Sequence, residues 1–313
     1  MIDINAALVE TLGESPRAQR IPAPVAAPDR EIVDVIAVGV HHVTRGIASG
    51  RHYVQRPLPF VPGVDGIARR ADGSLAAVFG PETGTLAEQL SVDPHSLIPI
   101  PDGDPAVLAA SLNPVMSGWM ALRALGDITG RSVLVLGATG SSGSMAVRIA
   151  RHLGAARVIA AGRDESRLAE LSGIADAIVP LGDPDRAATA LAEASDVDIV
   201  LDYLWGPVTE MALGVILRAR ADDTQLLDWV QIGSMAGPDI TLPAGALRSK
   251  ALRLSGSGFG STPFEVYRRE IPDAAKAIVD GVTVIRPVTF PLREVETAWT
   301  HDVRAGERTV ILL

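Results

Sequence analysis

An α/β protein, in which a doubly wound parallel sheet follows a compact β-rich domain, is predicted by three features of the 313-residue sequence. The stretch Ser132 to Arg163, SVLVLGATGSSGSMAVRIARHLGAARVIAAGR, reads as a strand, a helix and a second strand. Beyond Arg163, apolar runs such as Ala177 to Val179, Ile199 to Leu201, Leu226 to Ile232 and Leu252 to Leu254 alternate with helical stretches, among them Ala187 to Ala194 and Val208 to Ala219. That alternation is the pattern of parallel strands joined by helices. Before Gly103, Gly and Pro recur between short strand-like runs, as they do in a small β-rich domain.

The first of these features carries the most chemistry. Ser132 to Leu136 is a short apolar run suited to a parallel strand buried on both faces. From Ala138 the residues run A-T-G-S-S-G, a dinucleotide fingerprint whose first glycine is replaced by Ala138, while Gly140 and Gly143 keep their places. A side chain at Gly140 would hold the backbone away from a pyrophosphate, and one at Gly143 would hold the helix off the strand. Thr139, Gly140, Ser141, Ser142 and Gly143 therefore form the candidate phosphate loop, with the free N–H groups of the helix start attracting the anion. The helix is expected from Gly143 to Leu153, with Met145, Ile149 and Leu153 on one face, and Arg157 to Ala161 as the next strand.

The residues just after that strand separate the two nicotinamide cofactors. A site for NAD places Asp or Glu about 20 residues beyond the fingerprint to hold the ribose 2′-hydroxyl, whereas a 2′-phosphate needs a cation. Here the place is taken by Gly162 and Arg163, which favours NADP(H), with Arg163 over the 2′-phosphate. The alternative is a solvated surface arginine beside Asp164 and Glu165.

Composition narrows the partners. Apolar residues make up 47% and charged residues 21%, as in a globular chain long enough for about two domains. A net charge of −9, with arginines scattered and not clustered, argues against a nucleic-acid partner. The chain has no cysteine, which removes disulfides and thiolate metal sites, and its start lacks a basic segment followed by an apolar run. No stretch approaches the length needed to span a bilayer, so the expected location is the cytoplasm.

In chain order, a first strand is expected near Ala6 to Val9, and IPAPVAAPDR reads as an extended connection. Glu31 to Val40 reads as a strand covered on one side, continuing into His41 and His42. Adjacent strand residues point to opposite faces, so this pair is not expected to share a ligand. Strand-like runs come next at Val64 to Ala68, Ala76 to Phe79 and Ala87 to Val92, then helices at Asp104 to Ala110 and Val115 to Leu125. A helix over Phe264 to Asp280 and a last strand, Thr309 to Leu313, complete the pattern.

Taken together, RPLPFVPGVDGIA, NPVMSGWMAL, the fingerprint unit, VQIGSMAG and FPLREVETAWTH resemble the medium-chain dehydrogenase/reductase superfamily, and within it the zinc-independent quinone oxidoreductases. The resemblance covers nearly the whole chain. It implies a GroES-like catalytic domain made from residues 1–115 and 262–313, a Rossmann domain over 116–261 inserted between them, an active cleft between the domains, and a homodimer formed by edge-to-edge pairing of Rossmann sheets. It also implies that Ile232, Gly233 and Ser234 back the nicotinamide, with Ser117 and Phe259 close by. Compared with the zinc-dependent alcohol dehydrogenases of the superfamily, the ligand positions are His41, Val64 and Asn113. That set does not make a three-ligand zinc site, so no metal is expected.

The function these features imply is NADPH-dependent hydride transfer to a quinone or another activated enone or carbonyl, without a metal. Tyr53, in the loop that the family folds over the substrate, is the candidate proton donor, with His52 or solvent as alternatives. Residues 47–60 and 204–207 are expected to line the cleft, but they do not name the substrate. The competing reading is a non-catalytic NADPH sensor or structural protein, because a fold alone does not settle function. An acyl hydrolase is disfavoured, since no serine stands in a G-x-S-x-G elbow.

Overall fold

The computed structural model describes residues 2–52, 54–80, 83–283, 285–304 and 306–313. It begins with an antiparallel pair, β1 (Asp3–Leu8) and β2 (Arg17–Pro22). Ile21 and Pro22, read from the sequence as part of an extended connection, thus belong to a strand and pair with Ile4 and Asp3. The next strand, β3 (Glu31–Gly39), stops earlier than expected, and the chain turns into α1 (His42–Ala48). His41 and His42 are therefore not strand neighbours. His41 is the N-cap of α1, and its ring folds back over Gly39, where a Cβ would lie 2.6 Å from its Nε2.

Four short strands come next: β4 (Asp65–Arg69), β5 (Leu75–Phe79), β6 (Gln89–Val92) and β7 (Leu97–Pro99). The two helices expected after them are one, α2 (Pro105–Arg123), which runs through Pro114. A proline in a helix interior removes one hydrogen bond without always ending the helix.

The parallel unit then runs through β8 (Ser132–Leu136), α3 (Ser141–His152), β9 (Arg157–Gly162), α4 (Glu165–Leu171), β10 (Ala177–Pro180) and α5 (Pro184–Glu193). It continues with β11 (Ile199–Asp202), α6 (Gly206–Ala219), β12 (Leu227–Gln231), α7 (Ala244–Ser249) and β13 (Leu252–Gly256). The chain closes with α8 (Phe264–Val279), β14 (Arg286–Pro291), α9 (Val295–Thr300) and β15 (Glu307–Leu312).

Two compact units result, one of Met1–Asn113 with Arg268–Leu313 and one of Pro114–Tyr267. In the first, a mixed sheet has the order β14-β15-β3-β4-β5-β7, with β6 also paired to β3. Its core includes Val33, Val38, Leu86, Val295 and Ile311, so segments from both parts of the chain fill one interior. In the second unit a six-stranded sheet has the order β10-β9-β8-β11-β12-β13, and every pair in it is parallel. Leu134, Leu136, Ile159, Val200 and Trp229 are fully or almost fully buried there, which is why these strands read as continuous apolar runs. The strand order reverses between β8 and β11, and ligands of such sheets lie at the carboxyl ends of the strands beside that reversal.

Candidate functional site

The turn out of β8 is built from backbone hydrogen bonds. The N–H groups of Gly137 and Ala138 both donate to Ala161 O, at 2.9 and 2.8 Å, and Gly140 N–H donates to Gly137 O at 3.0 Å. Gly137 supplies the positive φ, +91°, that the tight turn needs. Ala138 can therefore replace the first glycine of the fingerprint, and its methyl is fully buried. At Gly143 a Cβ would come 2.2 Å from Gly137 O, so only glycine lets α3 pack against the turn.

Gly140 is different. Its φ of −78° and ψ of 160° suit any residue, it is exposed, and a Cβ would meet only Gly137 O, at 3.3 Å. The fold itself makes little demand for glycine at 140, whereas a ligand lying against the backbone would. Gly140 is also the N-cap of α3 and offers no side-chain cap, so the N–H groups of Ser141, Ser142 and Gly143 face outward. A cradle of this kind fits a pyrophosphate.

At the end of β9, Gly162 leaves room for Thr139, and Arg163 is exposed. Both acidic neighbours of Arg163 are committed elsewhere. Asp164 caps α4 by accepting from the N–H groups of Ser166 and Arg167, at 3.1 and 3.2 Å, and Glu165 pairs with Arg186 at 3.0 Å. The Ser166 hydroxyl, with those N–H groups, holds the Asp164 carboxyl below the usual range. Among the described residues Arg163 makes no ion pair or hydrogen bond.

The loops after β11 and β12 are tied together. Ile232 and Gly233 both donate to Asp202 O, at 2.7 and 3.1 Å, and a Cβ on Gly233 would lie 2.8 Å from Tyr203 O. Ser234 comes next and is exposed. On α2, the Ser117 hydroxyl donates to Pro114 O at 2.7 Å and lies 3.1 Å from the Tyr203 phenol. That phenol is buried, which pushes its pKa up. Phe259, after β13, is 46% exposed and stacks on Tyr267 with ring centroids 5.7 Å apart. The structure thus brings Thr139–Gly143, Gly162–Arg163 and Ile232–Ser234 to the carboxyl ends of β8, β9 and β12, and links Ser117 to the residue directly after β11.

Tyr53, the candidate proton donor, lies outside the described residues. Its neighbour His52 accepts the N–H of Val54 on Nδ1 at 3.1 Å, and burial lowers its pKa. A histidine with a lowered pKa is mostly neutral near pH 7, and so a poorer acid.

The first unit also holds the three positions compared with zinc ligands. Val64 has no donor atom. His41 Nε2 stands 3.3 Å from Asp65 Oδ1 without hydrogen-bond alignment, and Asn113 Nδ2 donates to the same oxygen at 3.4 Å. Among the described residues no three His, Cys, Asp or Glu side chains gather as metal ligands would.

Sequence reasoning missed three residues. Asp202, fully buried, gathers four donors at the end of β11. Trp205 has a positive φ that its side chain could not announce. Arg308, one residue before the strand expected over Thr309 to Leu313, is 8% exposed with an unpartnered Nε; burial lowers its pKa, with Asp65 opposing and Arg45 assisting.

A parallel sheet with a glycine turn, an uncapped helix start and a free cation just past the next strand defines a dinucleotide-binding protein. No family model matches the chain. A probable NADPH-dependent quinone reductase of Emericella nidulans is 32% identical over 358 aligned positions, covering 99% of this chain and all of that protein. The quinone oxidoreductase-like protein 2 of Rattus norvegicus is 26% identical, over 93% of this chain and 86% of that one. Among solved structures, the quinone oxidoreductase from Thermus thermophilus, crystallised also as its complex with NADPH, superposes with a TM-score of 0.78 at 25% identity, over 99% of this chain and all of that one. The chain belongs to the quinone oxidoreductases of the medium-chain dehydrogenase/reductase superfamily.

Proposed function

We propose that this chain is an NADPH-dependent oxidoreductase that transfers hydride to a quinone or to another activated enone or carbonyl. The observation that carries the reading is Gly140, a glycine on which the fold itself makes little demand, at an uncapped helix start, one strand away from the unpaired Arg163. NADPH, when bound, supplies the hydride. The residues of the chain bind and orient it. The N–H groups of Ser141, Ser142 and Gly143 hold the pyrophosphate, while Arg163 neutralises the 2′-phosphate. Ile232, Gly233 and Ser234 back the nicotinamide, with Ser117 and Phe259 beside it. Tyr53 donates a hydrogen bond, and then a proton, to the substrate oxygen as charge develops on it.

Relatives named as reductases along their whole length favour catalysis over a non-catalytic NADPH sensor. The reaction runs without zinc, a reading supported by Val64 at a ligand position and by the absence of cysteine. The assembly is a homodimer, supported by β13, an edge strand that is partly apolar and largely exposed. The location is the cytoplasm, as expected of a cysteine-free chain; no described helix is long and apolar enough to cross a membrane.

The test is a panel of benzoquinones, naphthoquinones and enones, followed through loss of NADPH absorbance with NADH in parallel. Turnover of at least one class, faster with NADPH, is expected. A panel on which NADPH is never consumed would sink the proposal.

A further inference from the structure

Trp205 is the described residue whose backbone suits its side chain least. Its φ is 56° and its ψ −166°, close to a region populated essentially by glycine alone, and it is the sole described non-glycine residue with positive φ.

The surrounding contacts enforce this conformation. Asp202 Oδ1 accepts the N–H groups of Leu204 and Trp205, at 2.9 and 3.0 Å. Its Oδ2 is fixed by the Thr209 hydroxyl and the Trp229 indole, at 2.6 and 3.0 Å. Leu204 O accepts from Ala236 N–H at 2.7 Å, and Gly206 is pressed against Ala236 and Gly237 so closely that a Cβ would lie 2.8 Å from each. A glycine at 205 would meet the same constraints without strain, so what the strain preserves is the indole. That indole is not a core group. Leu204 packs on the core of the sheet, whereas Trp205 is only partly buried and is not among the side chains packed there. Among the described residues its indole neither donates a hydrogen bond nor stacks on another ring.

Its position indicates what it meets. Trp205 lies just beyond β11, the neighbour of β8 at the reversal of strand order. The turn it belongs to abuts the fingerprint, since a Cβ on Gly137 would lie 3.1 Å from the Leu204 side chain and 3.2 Å from Tyr203 Cβ. The β12 side of the turn is filled by Met235 to Gly237: the N–H groups of Met235 and Ala236 donate to Tyr203 O and Leu204 O, and Gly237 lies against Gly206. On the other side of β11 the sheet continues with β8, which leads into the fingerprint, and then with β9, which leads into Arg163. We propose that Trp205 forms the aromatic wall of the adenine pocket and stacks on the purine of the 2′-phosphorylated adenosine arm, not on the nicotinamide or the substrate. This assignment rests on the NADP(H) reading above.

The test is calorimetric titration of the parent, Trp205→Gly and Trp205→Phe with adenosine 2′,5′-bisphosphate, which lacks nicotinamide, and with reduced nicotinamide mononucleotide, which lacks adenine. Stacking of a base on an aromatic side chain predicts that Trp205→Gly binds the bisphosphate about ten- to a hundredfold more weakly. Its affinity for the mononucleotide should be unchanged, its melting temperature should be no lower than the parent's, and Trp205→Phe should recover most of the loss. Unchanged bisphosphate affinity in Trp205→Gly, or a loss confined to the mononucleotide, would overturn the assignment while leaving NADP(H) intact. A glycine variant that melts well below the parent would make the indole a structural prop and overturn it as well. A parent that does not bind the bisphosphate at all would instead remove the cofactor reading, and the adenine wall with it.

Discussion

Gly162 and Thr139 limit each other: a Cβ built on Gly162 would fall 2.5 Å from Thr139 Cγ2 and 2.8 Å from its Oγ1. Threonine is stiff at χ1 and gives way poorly. The end of β9 therefore has no room for the carboxylate that would grip a ribose 2′-hydroxyl. Gly162→Asp alone is expected to weaken NADPH binding by about tenfold or more without creating a competent NADH site, whereas Gly162→Asp with Thr139→Ala should gain NADH affinity. Fluorescence titration of both variants checks this, and tight NADH binding by the single variant would contradict it.

Arg163 is the free cation at the same strand end. A charge-assisted contact contributes about 1.5–3 kcal/mol, so Arg163→Ala should reduce the preference for NADPH over NADH roughly ten- to a hundredfold. The ratio of kcat/KM with the two cofactors is the measurement. An unchanged ratio would return Arg163 to the surface.

Tyr53→Phe should lower kcat by about tenfold or more and leave NADPH affinity unchanged, because the hydrogen bond proposed for Tyr53 would be made mainly in the transition state. His52 is a weak substitute, since burial lowers its pKa. Unaltered kcat and kcat/KM in the Phe variant would reduce Tyr53 to a wall of the pocket.

Stability should depend on pH through Asp198. Burial alone would raise its pKa, but the N–H and hydroxyl of Ser132, the Gln225 amide and Arg131 together bring it below the ordinary value. A carboxyl depressed in the folded state stabilises fully above its unfolded pKa of about 3.9, and the contribution is lost as pH falls through the folded value. Ser132→Ala removes a donor to the carboxylate and an acceptor for Asp198 N–H, which stands 3.0 Å away. The expected loss is about 1–2 kcal/mol near pH 7, shrinking toward about pH 3. Urea unfolding at the two pH values reads the difference, and a loss independent of pH would rule out the carboxylate as its source.

The parallel unit was legible because its strands are buried on both faces and its turn glycines have local reasons. Gly143 is needed for helix packing, as its spacing predicts. The positive φ, however, falls on Gly137, one residue before the expected first glycine. Misreadings arose where distant contacts override local pattern. Pro114 divides α2 on paper, yet the helix continues through it. β14 carries a proline near each end, and its parallel pairing with β15 holds it in the sheet. In the site, Gly162 and Arg163 could be read from position, but the freedom of Arg163 depends on where Asp164 and Glu165 bond. Trp205 was illegible as a strained residue because Asp202, Ala236 and Gly237 impose its backbone.

β15 lies between β14 and β3 in the sheet of the first unit, and Ile311 belongs to the same core as Val33 and Val38. On the ribosome, β3 emerges before β15, with all of Pro114–Tyr267 made in between. The contiguous parallel unit can fold as it leaves the exit tunnel, but the discontinuous one must wait, holding an unpaired strand edge and an incomplete interior until β15 has been made. Synthesis that stops before β15 therefore leaves a folded nucleotide-binding half attached to an unfinished sheet, a species that chaperones and proteases would meet.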